Sequence, residues 1–269
     1  MKILIVGGGN MGLTYARAFL RSHLCSEEDL MILEKAERKR GELASMKVGH
    51  IHLEPETCLP FADLIILAVK PQDTGELFAQ LKPHLDAEQV VLSIMAGIPI
   101  AKINAELGVH KVIRAMPNLP AQIGMGMTVF TSAPAITRIE LVTVQNLLNT
   151  TGKSIYVENE TMIDAATAIS GSGPAYVFYF MQSMMESAAS MGFSVSEAEL
   201  LVSTTFLGAI ELYMKSDFSC ADWIQKVASR GGTTEAALAS FAGHTVNRHI
   251  GMGLEAARER AEALGKPLT

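Results

Sequence analysis

Two glycine-bearing clusters in this chain have the residue types and spacing to bind anionic groups through backbone amides. Gly7-Gly8-Gly9-Asn10-Met11-Gly12 follows the apolar run Ile3–Val6 at once and opens a helical pattern, the context in which a G-x-G-x-x-G loop cradles the pyrophosphate of a dinucleotide. Gly7 permits the tight turn, Gly9 lets the backbone approach the phosphates, and Gly12 lets the helix pack closely on the strand, while the helix N-terminus stabilises the phosphate charge. Glu34 ends the next apolar run, where an acid accepts hydrogen bonds from the adenosine ribose and repels a 2'-phosphate. Lys35, Arg38, Lys39 and Arg40 follow directly and are able to hold that phosphate, so NADH and NADPH both stay open. Ala68-Val69-Lys70-Pro71 closes a further run, and Ser93–Gly97 (with Ala96) and Met116-Pro117-Asn118 close two more. Together they offer small residues and amides to a nicotinamide ribose at one sheet edge.

The second cluster, Ser229-Arg230-Gly231-Gly232-Thr233-Thr234-Glu235, is a glycine-hinged loop running into a helix. The amides of Gly232, Thr233 and Thr234 at that helix start suit a carboxylate, and the Thr234 hydroxyl suits a ring nitrogen. Ser170-Gly171-Ser172-Gly173-Pro174-Ala175 is a third unusual loop, its proline placed for a first helical turn. Oxidation of an alcohol by a dinucleotide needs a base, usually His or Lys, yet no Lys, His or Arg occurs between Lys153 and Lys215. Hydride delivery to a polarised C=N bond, with a hydroxyl or water as proton partner, fits that gap better.

Around these clusters the chain reads as an α/β protein. Apolar β-rich runs at Ile3–Val6, Leu30–Leu33, Leu64–Val69, Val90–Ile94, Val112–Ala115, Met127–Phe130 and Ile155–Val157 alternate with helical segments such as Met11–Ser22, Thr74–Leu81 and Ile100–Leu107. Continuous apolar strands joined by helices predict a doubly wound, Rossmann-type parallel sheet covered on both faces. After Val157 the pattern is helical only, at Thr161–Ser170, Ala175–Met191, Ser196–Lys215, Ala221–Ser229, Thr234–Phe241 and Thr245–Leu264. Ser194-x-x-Glu197 is a capping box, and Gly265 before Pro267 a helix stop. The reading is therefore a dinucleotide-binding domain over 1–157 and an all-helical substrate-binding and dimerisation domain over 158–269. The helix at Ala175–Met191 is apolar around most of its circumference and predicts burial on more than one side, hence a homodimer through this domain.

Composition narrows the partners. The chain of 269 residues is 49% hydrophobic with a formal net charge of -6, and without a Lys/Arg block it carries no footprint for nucleic acid or an anionic membrane. No run approaches the roughly 18 uncharged apolar residues of a membrane span, and the apolar run after Met1 and Lys2 is too short for a signal peptide. Cys25, Cys58 and Cys220 are odd in number and far apart, which predicts reduced thiols and a cytoplasmic protein. His50-x-His52 and the pair His244 and His249 lack a carboxylate or cysteine to complete a metal site, so no metal is expected.

These stretches resemble the pyrroline-5-carboxylate reductase family over nearly the whole chain. The resemblance rests on Gly7–Gly12, Ala68–Pro71, Ser93–Gly97, Arg114-Ala115-Met116-Pro117-Asn118, Ser170–Tyr176, Gly231–Thr234 and the closing Arg260–Lys266. It implies reduction of 1-pyrroline-5-carboxylate to L-proline by NADPH or NADH, and dimers interlocked through the helical domain, often in larger rings. It further implies that Ser229, Gly232, Thr233 and Thr234 hold the substrate carboxylate, with Thr234 as hydroxyl partner of the imine nitrogen and Glu160 close by. Ala68, Lys70 and Ala96 would line the nicotinamide half of the cofactor site. Two departures stand out: Arg230 where many members have proline, and Glu34 where NADPH-preferring members often carry a small polar residue. A reductase of a related cyclic imino acid and a catalytically silent dinucleotide-binding paralogue are the alternative readings.

Overall fold

The computed structural model describes residues 1–265; the predicted stop at Pro267, and Lys266 with it, lie outside the described residues. Contacts divide the chain into two compact units, one over Met1–Pro174 together with the chain from Ala257 onward, the other over Ala175–Ala256.

The first unit is built on an eight-stranded sheet. Its strands are β1 (Ile3–Val6), β2 (Leu30–Leu33), β3 (His50–His52), β4 (Leu64–Leu67), β5 (Val90–Ser93), β6 (Val112–Met116), β7 (Gly126–Ser132) and β8 (Gly152–Tyr156), in spatial order 3-2-1-4-5-6-7-8. Helices α1 (Asn10–Arg21), α2 (Glu37–Ser45), α3 (Thr74–Leu81), α4 (Ile100–Leu107) and α5 (Arg138–Asn149) are interspersed with them. Alternate residues of one strand face opposite layers. Ile3 and Ile5 join Tyr15, Phe19, Ile32 and Ile66 in one core, whereas Leu4 and Val6 join Phe78, Leu81, Ile103 and Leu107 in the other. A sheet buried on both faces needs uninterrupted apolar strands, and β1, β2, β4 and β5 are buried at every position.

The sheet departs from the expected all-parallel form at one pair, since β6 and β7 are antiparallel. Only residues 117–125 join them, fewer than the dozen or more that a parallel crossover requires. α5 then provides such a crossover, and β7 and β8 are parallel again. Two helices and one short strand were not singled out in the sequence. α5 carries its own signal, a capping box of Thr137 and Glu140, but α2 is polar and β3 is only three residues long.

The expected helix Thr161–Ser170 is in fact α6 (Thr161–Ala166) followed by a π-turn over Thr167–Gly171. The Ser172 amide donates to the Thr167 carbonyl at 2.8 Å, which widens the turn by one residue. That places Gly171 against Met116, where a Cβ would come within 2.7 Å of the methionine methyl. The remaining helices are α7 (Gly173–Ser190), α8 (Val195–Met214), α9 (Cys220–Val227), α10 (Thr233–Gly243) and α11 (Val246–Leu264). α8 opens on the predicted box of Ser194 and Glu197. The end of α11 returns to the first unit and packs on the loop after β5, where a Cβ at Gly97 would lie 2.5 Å from the Leu264 Cβ.

The second unit buries little of its apolar surface. On α7, Phe178 is 60% and Tyr179 68% exposed, and on α8, Leu200 is 67% and Leu207 63% exposed. The expectation that α7 is buried on several sides is thus not met within one chain. Apolar surface on this scale marks an interaction face. No helix among the described residues is long and apolar enough to cross a membrane.

Phe19 is fully buried on the core face shared by α1 and β1. Phe19→Ala should lower the unfolding free energy by about 3–5 kcal/mol, read from the midpoint shift in urea denaturation.

Candidate functional site

The site begins where three neighbouring strands end in register. Val6 pairs with Leu33 on one side and Leu67 on the other, so Gly7, Glu34 and Ala68 stand side by side beyond the sheet's carboxyl edge. Backbone bonds fix them there: the Gly7 amide donates to the Leu33 carbonyl (2.9 Å), the Ala68 amide to Val6 (2.9 Å) and the Glu34 amide to His52 (3.0 Å). β1 is flanked by strands reached by crossovers in opposite directions, the place where doubly wound sheets open a crevice for ligands.

Gly7 has φ +104°, a conformation that side chains rarely adopt. Gly12 has no freedom of another kind, because a Cβ there would lie 2.0 Å from the Gly7 carbonyl oxygen. This contact lets α1 start directly over the end of β1. At Gly9, the residue capping α1, a Cβ would meet nothing within 4 Å. Its bare backbone faces open space, as a site for a bulky phosphate requires.

Two adjoining clefts of about 850 and 480 Å³ occupy this edge, sharing Gly9, Lys39, Ala68, Val69 and Lys70. The structure brings most of the expected cofactor residues to them: Gly7 and Glu34 line the larger, Asn10 and Met11 the smaller. Gly12, Pro71, Ala96 and Asn118 line neither. Gly12 acts behind the loop, and Asn118 uses its side-chain oxygen to accept the Met127 amide at 2.8 Å. Glu34 is buried, with both carboxylate oxygens engaged: Oε2 accepts the Gly8 amide at 3.0 Å and Oε1 the Ala36 amide at 2.9 Å. Gly8 is therefore a functional position that the glycine spacing alone did not reveal. These residues fit a dinucleotide.

Glu160 precedes α6 and is not a free carboxylate. Its Oε1 accepts both the Ile100 amide (2.8 Å) and Arg114 Nη1 (3.1 Å), and Arg114 Nη2 reaches Asp164 at 2.5 Å. Arg114 is 2% exposed, so this buried guanidinium, shared by two partly buried carboxylates, ties α6 and the start of α4 to β6. Its signal in the sequence was an arginine inside the apolar strand Val112–Met116, read there only as part of a motif.

In the second unit, Gly232 is the N-cap of α10. Its amide, expected to be free, donates to the Ser229 carbonyl at 3.0 Å, and the Gly231 amide donates to Glu235 Oε2 at 2.5 Å. These two bonds shape the loop, and a Cβ on Gly232 would lie 2.5 Å from Ser229 Oγ. The helix start leaves the amides of Thr233 and Thr234 without intrahelical acceptors, beside the half-buried Thr234 side chain and an exposed Arg230.

Two substitutions test this construction. Gly12→Ala should weaken binding of NADH or NADPH at least about tenfold, the scale of one lost charge-assisted hydrogen bond, in a nicotinamide fluorescence titration. Arg114→Ala leaves two carboxylates without their buried cation and should destabilise the protein by about 3 kcal/mol, measured by chemical denaturation.

Comparison with known proteins finds matches at both ends of the chain. Residues 160–264 match the family model for pyrroline-5-carboxylate reductase dimerisation, and residues 2–97 match a model described as NADP oxidoreductase coenzyme F420-dependent. A pyrroline-5-carboxylate reductase of Pseudomonas aeruginosa is 32% identical over 268 residues, covering 99% of this chain and 98% of that protein. The crystal structure of Plasmodium falciparum pyrroline carboxylate reductase with NADP bound superposes with a TM-score of 0.89 at 27% identity, covering 99% of this chain and 98% of that one. The solved structure of a pyrroline-5-carboxylate reductase from Coxiella burnetii gives 0.89 at 28% identity, covering 99% of both chains. By its sequence over nearly its full length and by its fold, this chain belongs to the pyrroline-5-carboxylate reductase family.

Proposed function

We propose that this chain reduces 1-pyrroline-5-carboxylate to L-proline at the expense of NAD(P)H, the last step of proline synthesis. The observation that carries the reading is full-length kinship with these reductases in a chain whose glycine loop opens onto a dinucleotide-sized cleft. The nicotinamide cofactor supplies a hydride to the carbon of the C=N bond. Everything else falls to the chain. Gly7, Gly9, Asn10 and Met11 seat the pyrophosphate at the start of α1 with Gly12 packed behind them, Glu34 meets the adenosine ribose, and Ala68, Val69 and Lys70 serve the nicotinamide side, with Pro71, Ala96 and Asn118 shaping the loops around it. The first-turn amides of Thr233 and Thr234 bind the substrate carboxylate, with Ser229 and Gly232 holding the loop in shape. The Thr234 hydroxyl donates to the ring nitrogen, which carries the proton in the amine product. No basic side chain is needed, because the C=N carbon is electrophilic once its nitrogen is hydrogen-bonded or protonated. Glu160 contributes by positioning, through Arg114 and the Ile100 amide.

Residues 1–157 form the dinucleotide-binding domain in this reading, and 158–269 the substrate-binding and dimerisation domain. The C-terminal domain supports oligomerisation, in keeping with its matched family model. We assign it a homodimer whose interface covers the exposed face of α7 and α8, with a ring of dimers as a higher assembly. A cytoplasmic location is in keeping with three unpaired cysteines, two of which are buried and have thiol pKa values pushed up to about 11 by desolvation.

Purified protein should oxidise NADH or NADPH only when 1-pyrroline-5-carboxylate is present, and Thr234→Ala should lower kcat by about 10²-fold or more, the usual worth of a positioned proton donor. Unchanged turnover in that variant refutes the role of Thr234. Sedimentation velocity at micromolar concentration should give a dimer or larger, and a monomer would refute the interface.

A further inference from the structure

Accepting the proposed reductase activity, we infer that Glu34 makes this chain select NADH over NADPH. The side chain lies one residue beyond β2, lines the larger cleft beside Gly7 and Gly9, and is 7% exposed. Each of its two oxygens is held, Oε2 by the Gly8 amide in the phosphate loop and Oε1 by the Ala36 amide before α2. The loop lies close enough that a Cβ on Gly8 would come 3.3 Å from Oε2 and 2.4 Å from the Leu43 Cδ1. A carboxylate so gripped cannot swing away without stranding two amides. Each oxygen keeps a lone pair for a ribose hydroxyl, so the adenosine diol of NADH finds acceptors already oriented. The 2'-phosphate of NADPH brings negative charge and only acceptors to a fixed anion.

The basic residues after Glu34 offer little compensation. Arg40 turns its Nη1 onto the backbone carbonyls of Glu34 (3.3 Å) and Lys35 (2.8 Å). Arg38 pairs with Glu42 at 3.0 Å. Lys35 and Lys39 line the cleft, but Glu54 and Glu56 line it too. Among the described residues no arginine lines the cleft, so it lacks the guanidinium fork that grips a phosphate through two parallel bonds.

The test is direct titration of the full chain with NADH and with NADPH, each followed by nicotinamide fluorescence without substrate. Binding is thereby read independently of the proposed reduction. NADH should bind at least tenfold more tightly, and Glu34→Ser should shrink that ratio at least fivefold by admitting NADPH. Glu34→Gln, which keeps the size and one acceptor, should shift the ratio in the same direction, and circular dichroism checks that both variants fold. Equal or tighter binding of NADPH by the unaltered chain overturns the inference. So does a ratio unmoved in the folded variants, or failure of NADH to bind. A clear NADH preference with no turnover of 1-pyrroline-5-carboxylate sustains the inference and defeats the proposed reaction alone.

Discussion

The meeting of α1 with the turn after β1 governs the rest of this molecule. The Gly7 carbonyl oxygen occupies the place a side chain at position 12 would need, so the helix begins over the strand end instead of beside it. Its unpaired N-terminal amides then face the crevice between β1 and β4, where a pyrophosphate gains both hydrogen bonds and the favourable end of the helix dipole. The strands hold the arrangement rigid because β1, β2 and β4 are buried on both faces and end in register. Loop geometry, cleft and the placing of Glu34 all inherit their precision from that packing.

The second unit obeys a different constraint. Its helices carry more apolar surface than they can cover within the chain, with aromatic residues of α7 and leucines of α8 left exposed. The sheet unit closes its cores by itself, whereas these helices depend on burial elsewhere. Cofactor binding and subunit association are thus assigned to different halves of one sequence.

How much of this was legible beforehand depends on whether the signal is local. α3 and α4 were bounded to the residue, and the capping box of Ser194 and Glu197 was read directly, because periodicity and caps are written within a few residues. β7 was read as a strand but its antiparallel direction was missed, since strand direction is set by the length and path of a connection and not by the strand's own residues. The role of Arg114 was hidden for a similar reason: its partners Glu160 and Asp164 lie 46 and 50 residues away. The glycine loop was legible as a motif, but the Gly8 amide bound to Glu34 needed the fold to bring β2 alongside.

The return of α11 to the sheet unit has a consequence for biosynthesis. Leu264 rests against Gly97, so the loop after β5 receives a neighbour that is translated only after the whole helical unit Ala175–Ala256. A nascent chain emerging amino end first can pair its early strands, but that loop stays uncovered until α11 has been made. Completion of the sheet unit is thereby tied to synthesis of the helical unit that precedes Ala257, and a chain cut before α11 would carry an unfinished domain.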